Sequence, residues 1–207
     1  DLGASALDKF RQELPDQFIH AGISEQNMVD LASGLSLSGK KVFLYAMAPF
    51  ITARCYEQIK CVLASMNLPV TLIGVGVGLG YDHATLTHFT PEDIACMRSL
   101  NGIEVLTPAD ANATSKFAEI AISDPKFRYI RLDRQAQPAV YGNEFENIYK
   151  QGFGHIFSGG QVAIISCGAL LHRAIEARKM LEKLNVSVGI FDLFRVKPIN
   201  GSALSEG

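Results

Sequence analysis

The sequence predicts an α/β protein: a mainly parallel sheet with helices on both faces. Two observations carry that reading. Several short apolar runs are too continuous to be half exposed, and stretches with helical spacing separate them. In order, the segment Phe18-Ile19-His20 reads as a strand leading into a helix over 24–37, with Ser24 as N-cap and Glu25 beside the free N–H groups of the first turn. A strand over 42–46 precedes a helix at about 50–66, and a strand over 70–75 follows. A helix over 91–100 opens on Thr90 as N-cap, Pro91 at the first helical position and Asp93 three residues after the cap. The run 103–106 is a strand, Asp110 after Thr107-Pro108 caps a helix over 111–122, and 128–132 is a further strand.

From 135 to 150 the pattern lapses around Pro138, Gly142 and Asn143. The expected division is one domain over 1–138, a linker over 139–150, and a second, partial α/β unit over 151–207. That unit contributes a strand at 162–166, a helix over 170–184 and a strand over 186–191.

Composition narrows the function. With 207 residues, 48% hydrophobic and 19% charged, the chain can bury a full core, so disorder is not expected. A net charge of -2, with the 19 Lys and Arg dispersed, argues against nucleic acid as a partner. No apolar stretch approaches the ~20 residues of a membrane span and no leader-like segment opens the chain, so a soluble, cytoplasmic protein without membrane association is expected. Cys55, Cys61, Cys96 and Cys167 lack C-x-x-C spacing; neither zinc nor a disulfide framework is expected, and they read as small buried hydrophobes. The chain starts at Asp1 without Met and stops at Ser-Glu-Gly, so part of a longer polypeptide, or a chain with missing segments, is expected.

Glu25 is the principal candidate for chemistry. The helix macrodipole alone can explain an acid there, but Ile19, Ile23, Met28 and Val29 make its surroundings apolar, and a carboxylate so placed needs a partner. The glycine-rich stretch 74–88 contains Gly76-x-Gly78-x-Gly80 but neither completes G-x-G-x-x-G before a helix nor leads to a P-loop lysine, so it is a weak nucleotide loop.

Three motifs in order, G-I-S-E-Q-N-M at 22–28, R-S-L-N-G-I-E-V-L-T-P-A-D-A-N at 98–112 and D-R-Q-A-Q-P at 133–138, resemble the pyrimidine-binding region of the transketolase family. The likeness continues more loosely through V-A-I-I-S-C-G-A to F-D-L-F-R-V-K-P-I, into the start of the C-terminal domain. It implies thiamine diphosphate and Mg2+ as cofactors and two-carbon ketol transfer between sugars or sugar phosphates. Deoxyxylulose phosphate synthase and 2-oxo acid dehydrogenase beta subunits are the alternatives within that chemistry, and a noncatalytic interaction module is the alternative outside it. Under the resemblance, Glu25 bonds the pyrimidine nitrogen of the cofactor and favours the imino tautomer that activates the thiazolium carbon. Phe50 stacks on the aminopyrimidine, Tyr56 is a second aromatic at the cofactor, and Arg54 is either part of that pattern or a surface or interface cation. His88 is a proton shuttle or binds a substrate hydroxyl. Arg134 contacts a substrate phosphate or else pairs with Asp133 or Asp82, and His83 joins the substrate site, where it and Asp82 could compensate for a missing acid.

The sequence departs from the family where Ala84 stands in place of an aspartate, and where Thr85-Leu86 replaces Gly-Pro before Thr87-His88. His20, His155 and His172 have no constellation around them and read as structural or exposed. No G-D-G segment is present, and no metal ligand is assigned to this chain. The resemblance therefore implies a diphosphate-binding N-terminal subunit or domain as partner, with a homodimeric contact and a heterotetramer of two of each chain.

Overall fold

Buried apolar runs pair in parallel to make the larger of two sheets. The computed structural model describes residues 4–142, 145–160 and 162–206. In chain order the elements are α1 (Asp8–Glu13), α2 (Glu25–Leu37), β1 (Val42–Met47), α3 (Ala48–Ile51), α4 (Tyr56–Gln58) and a π-helical turn (Ile59–Ala64). Then come β2 (Val70–Val75), α5 (Asp93–Ser99), β3 (Glu104–Leu106), α6 (Ala111–Ser123) and β4 (Arg128–Leu132). The remainder is α7 (Phe145–Tyr149), β5 (Gly154–Phe157), β6 (Val162–Ser166), α8 (Leu170–Glu182), β7 (Val188–Asp192), β8 (Arg195–Lys197) and α9 (Gly201–Glu206). The first sheet has the order β1-β2-β4-β3-β8, parallel except for β8; the second is β5-β7-β6, with β5 antiparallel.

Strand periodicity explains two cores. Neighbouring residues of a strand point to opposite faces, so Val105 and Tyr129 join one apolar cluster with Val29, Ile51, Leu72 and Met97, while Leu106 and Ile130 join another with Phe117, Phe145, Leu171 and Phe194. Helix α2 turns Val29, Ala32, Ser33 and Ser36 inward, a helical stripe. The predicted α/β class with a mainly parallel sheet holds.

Several local expectations do not. Among the described residues, the segment Phe18-Ile19-His20 pairs with no strand. Ser24 occupies the cap position, but its Oγ donates to the Ala21 carbonyl (2.5 Å) instead of accepting from the helix. Thr90 does not cap α5, which starts at Asp93: its backbone is committed to a two-way bridge with Gly78 (2.8 and 3.3 Å). The helix expected at 50–66 breaks after Ile51, where buried Thr52 turns its hydroxyl back to the Ala48 carbonyl (2.6 Å), a bond that bends helices. Of the four cysteines only Cys55 is buried; Cys61 is exposed, and Cys96 and Cys167 are intermediate.

Described residues on both sides of 143–144 are buried, Tyr141 and Phe145 among them. Asp110 caps α6 through Ala113 N (2.7 Å), as expected, and its other oxygen accepts from Val140 N and Tyr141 N (2.7 and 2.8 Å), which draws Tyr141 and Phe145 into the core.

The loop from β2 to α5 carries a glycine run for packing reasons. Gly76 has φ +73°, and a Cβ there would overlap the ring of Tyr81. Further along, Thr85 sits at φ 59°, ψ -157°, a region that favours glycine and strains a β-branched residue.

Two predictions concern stability. Thr85→Gly should raise the unfolding free energy by about 1 kcal/mol, strain relief exceeding the added chain entropy. Thr85→Ala, which keeps a Cβ, should gain much less; equal gains from both in urea titrations would refute the strain. The second concerns Asp192, fully buried, whose Oδ2 accepts from Tyr141 Oη (2.6 Å) while Oδ1 has no partner among the described residues. Burial pushes this carboxyl up to about 7 from 3.8, against the pull of the Tyr141 hydrogen bond. The native state then holds a proton that the unfolded chain releases, so its contribution is full below about 4 and is lost as pH rises through about 7. Asp192→Asn should remove a loss of roughly 4 kcal/mol across that window, visible as a flatter plot of unfolding free energy against pH.

Candidate active site

Glu25, at the first turn of α2, presents a carboxylate whose side chain is only 12% exposed. It accepts from the Arg54 guanidinium (2.7 Å). The break after α3 is what returns Arg54 to this place: its N–H reaches back to the Pro49 carbonyl (3.2 Å), and its guanidinium lies 4.1 Å from the centroid of the Phe50 ring. Cys55 Sγ donates to the Phe50 carbonyl at 3.0 Å, fastening the same turn. Burial, then the Glu25 carboxylate, push the Cys55 thiol up to about 12, so it stays protonated and is no nucleophile.

Phe50 next meets His88 edge to face, centroids 5.2 Å apart, and His88 meets Tyr81 at 6.0 Å. Thr87 Oγ1 stands 3.1 Å from the Ala84 carbonyl and 2.9 Å from His88 Nδ1; with its proton given to the carbonyl it is an acceptor for Nδ1–H, the arrangement in which Nε2 is the ring's free nitrogen.

Arg134 completes the row. It lies over the Tyr81 ring (5.0 Å) and donates to His83 Nδ1 (3.2 Å). A guanidinium only donates, so in this contact His83 Nδ1 is the acceptor; the same nitrogen lies 3.5 Å from Asp82. Among the described residues no carboxylate lies within salt-bridge range of Arg134, so neither Asp133 nor Asp82 neutralises it. Asp133 accepts from Ala169 N (3.1 Å) instead.

Glu25, Phe50, His88, His83 and Arg134 thus form one continuous row of contacts, with Arg54 and Tyr81 as the two members that sequence reasoning left out or undecided. The F-x-x-x-R spacing was the available signal for Arg54. Tyr56 stands apart from this row. Its hydroxyl shares a hydrogen bond with Ser99 Oγ (2.6 Å) and its ring packs on the core, an anchoring role apart from this row. The other histidines sit elsewhere: His20 accepts from Gly22 N, His155 stacks on Phe191, and His172 bonds the Ala109 carbonyl. Among the described residues no three His, Cys, Asp or Glu side chains gather as a metal site.

The family described as transketolase, pyrimidine-binding domain, matches residues 1–139. An apulose-4-phosphate transketolase subunit of Phocaeicola vulgatus is 34% identical over 99% of this chain and 65% of its own length. The 6-deoxy-6-sulfo-D-fructose transketolase subunit of a Clostridium species is 29% identical over 98% of this chain and 63% of its own. A split-gene transketolase solved as an inactive beta4 tetramer superposes with a TM-score of 0.88 at 31% identity, over all of this chain and 67% of that one. The chain spans a little under two thirds of the length of these curated relatives. By the extent of the family match, it belongs to the transketolase pyrimidine-binding family.

Proposed function

We propose that this chain is part of a transketolase-like transferase that moves a two-carbon ketol unit between sugar substrates with the help of thiamine diphosphate. The observation that carries the reading is that one guanidinium, that of Arg54, touches both a nearly buried carboxylate, Glu25, and the ring of Phe50, which in turn meets His88. That pair fits an aminopyrimidine, which needs one polar contact at its ring edge and one apolar contact on its face. When bound, the cofactor supplies the nucleophilic carbon for breaking and remaking a bond beside a carbonyl.

The chain's own residues then have distinct tasks. Glu25 holds a proton at the pyrimidine edge, and its low exposure keeps water from competing for it. His88 Nε2, with its lone pair, accepts a proton from a substrate hydroxyl as the carbon–carbon bond breaks and returns it to the acceptor. Arg134, without an acid partner among the described residues, binds the anionic end of the substrate, with His83 beside it. The relatives' substrates, a sugar phosphate and a sulfo sugar by name, both end in such a group.

The diphosphate and Mg2+ are assigned to a separate domain or subunit, paired with this chain in a heterotetramer. Support for a covering partner comes from apolar side chains left bare beside the site: Ile23 is 76% exposed, Leu79 64% and Leu86 82%. We retain 1–138 as the pyrimidine-binding unit and 151–207 as the start of the C-terminal domain, joined by the linker 139–150. Four free thiols suit a cytoplasmic protein.

In the reconstituted complex, Glu25→Ala should cut turnover of a ketose donor by at least about a hundredfold, a loss typical of a missing acid–base group. Full turnover would refute its role, and carbon dioxide release from pyruvate would replace ketol transfer with decarboxylation. Arg134→Met should raise KM for a phosphorylated ketose about tenfold or more and leave that for an uncharged ketose unchanged, if the anion contact contributes roughly 1.4 kcal/mol or more.

A further inference from the structure

Arg54 does in this chain what a bound aminopyrimidine would do. Its guanidinium is planar, donates in plane to the Glu25 carboxylate at 2.7 Å, and lies over the Phe50 ring at 4.1 Å. An aminopyrimidine recognised by the same two side chains would also present a flat face to Phe50 and an edge to Glu25. Two planar groups cannot share that space. We infer that Arg54 is an internal stand-in for the cofactor's pyrimidine, a latch that bridges Glu25 and Phe50 and swings out when the cofactor enters. The inference rests on the thiamine diphosphate reading above.

The local structure suits a latch. Arg54 sits in the irregular turn between α3 and α4, past the break at Thr52, and its side chain is 42% exposed while that of Glu25 is 12% exposed. The arginine can therefore rotate into solvent without moving a helix, whereas the carboxylate stays on α2. Phe50 remains held through Cys55 Sγ and the His88 ring. Removing the guanidinium would otherwise leave a poorly hydrated carboxylate without its partner, so the latch also keeps the cofactor-free chain intact.

The deciding measurement is calorimetric titration of the complete complex, reconstituted with its diphosphate-binding part, with thiamine diphosphate and Mg2+, for wild type and Arg54→Met. Methionine keeps the length of the side chain and removes its charge and plane. The latch predicts about tenfold tighter binding by the variant, a lower melting temperature without cofactor, and a larger rise in melting temperature on adding it. Arg54→Lys, which keeps the ion pair without the stacking plane, should fall between the two and serves if the methionine variant folds poorly. Unchanged or weaker binding by a folded variant would overturn the latch, weaker binding marking Arg54 as a cofactor ligand. Failure of wild type and both variants to bind would overturn the functional reading and the latch with it.

Discussion

Everything around the site is referred to one buried ion pair. Asp93, the first residue of α5 and fully buried, takes Arg131 of β4 in a two-point grip, Nε at 2.6 Å and Nη2 at 3.0 Å, and also accepts from Tyr129 Oη at 2.8 Å. Burial works against the charge of Arg131, but the Asp93 carboxylate outweighs it and holds its pKa above the ordinary value. Such a pair is poor evidence of net stability, since desolvation consumes most of its attraction, yet losing one partner costs about 3 to 5 kcal/mol. Its value is positional. Thr90 lies three residues before Asp93 and is bridged to Gly78, so the loop bearing Tyr81, His83 and His88 is closed at its base by the same helix that β4 grips. Beyond Arg131 the chain accepts from Gly76 N at Leu132 (2.8 Å) and delivers Arg134 beneath Tyr81.

How much of this was legible depended on range. The parallel strands declared themselves, because a strand buried on both faces must be apolar without alternation, and Asp110 was readable as a cap because its bond to Ala113 is local. The partners that overrode local signals were distant in sequence. Asp110 also binds Val140 and Tyr141, contacts that no local pattern in 135–150 announces. Likewise β8, only three residues long, runs antiparallel to β3, joining the chain's end to the first sheet through a pairing no periodicity announces. The helix expected through 50–66 met a buried Thr52, whose preference for its own backbone prevailed over the apolar spacing.

At the site, residue types were easier to read than contacts. Glu25 stood out because a carboxylate among apolar residues demands a partner, but the residues themselves did not say that Arg54 would supply it from 29 positions away. The contacts of Tyr56 were not legible either, because an aromatic beside a candidate stacking residue looks the same in sequence whether or not its hydroxyl bonds Ser99, as it does here. Thr85 is the converse: the replacement of a family glycine was visible, and the backbone kept the glycine-like angle in spite of it, placing Thr87 where its hydroxyl orients His88.

The contrast between two arginine–carboxylate pairs explains which parts of the site can move. Arg131 and Asp93 are enclosed, share two hydrogen bonds, and anchor strand to helix. Arg54 and Glu25 share one bond, and the arginine is substantially exposed, so solvent screens the attraction and the net contribution is about 0 to 1 kcal/mol. Stacking on Phe50 adds roughly another 0.5 to 1 kcal/mol at such exposure. A ligand held by several contacts exceeds that total readily. The enclosed pair therefore fixes the scaffold, whereas the open pair is weak enough to yield, and the same side-chain chemistry serves both ends because burial, not residue type, sets the strength.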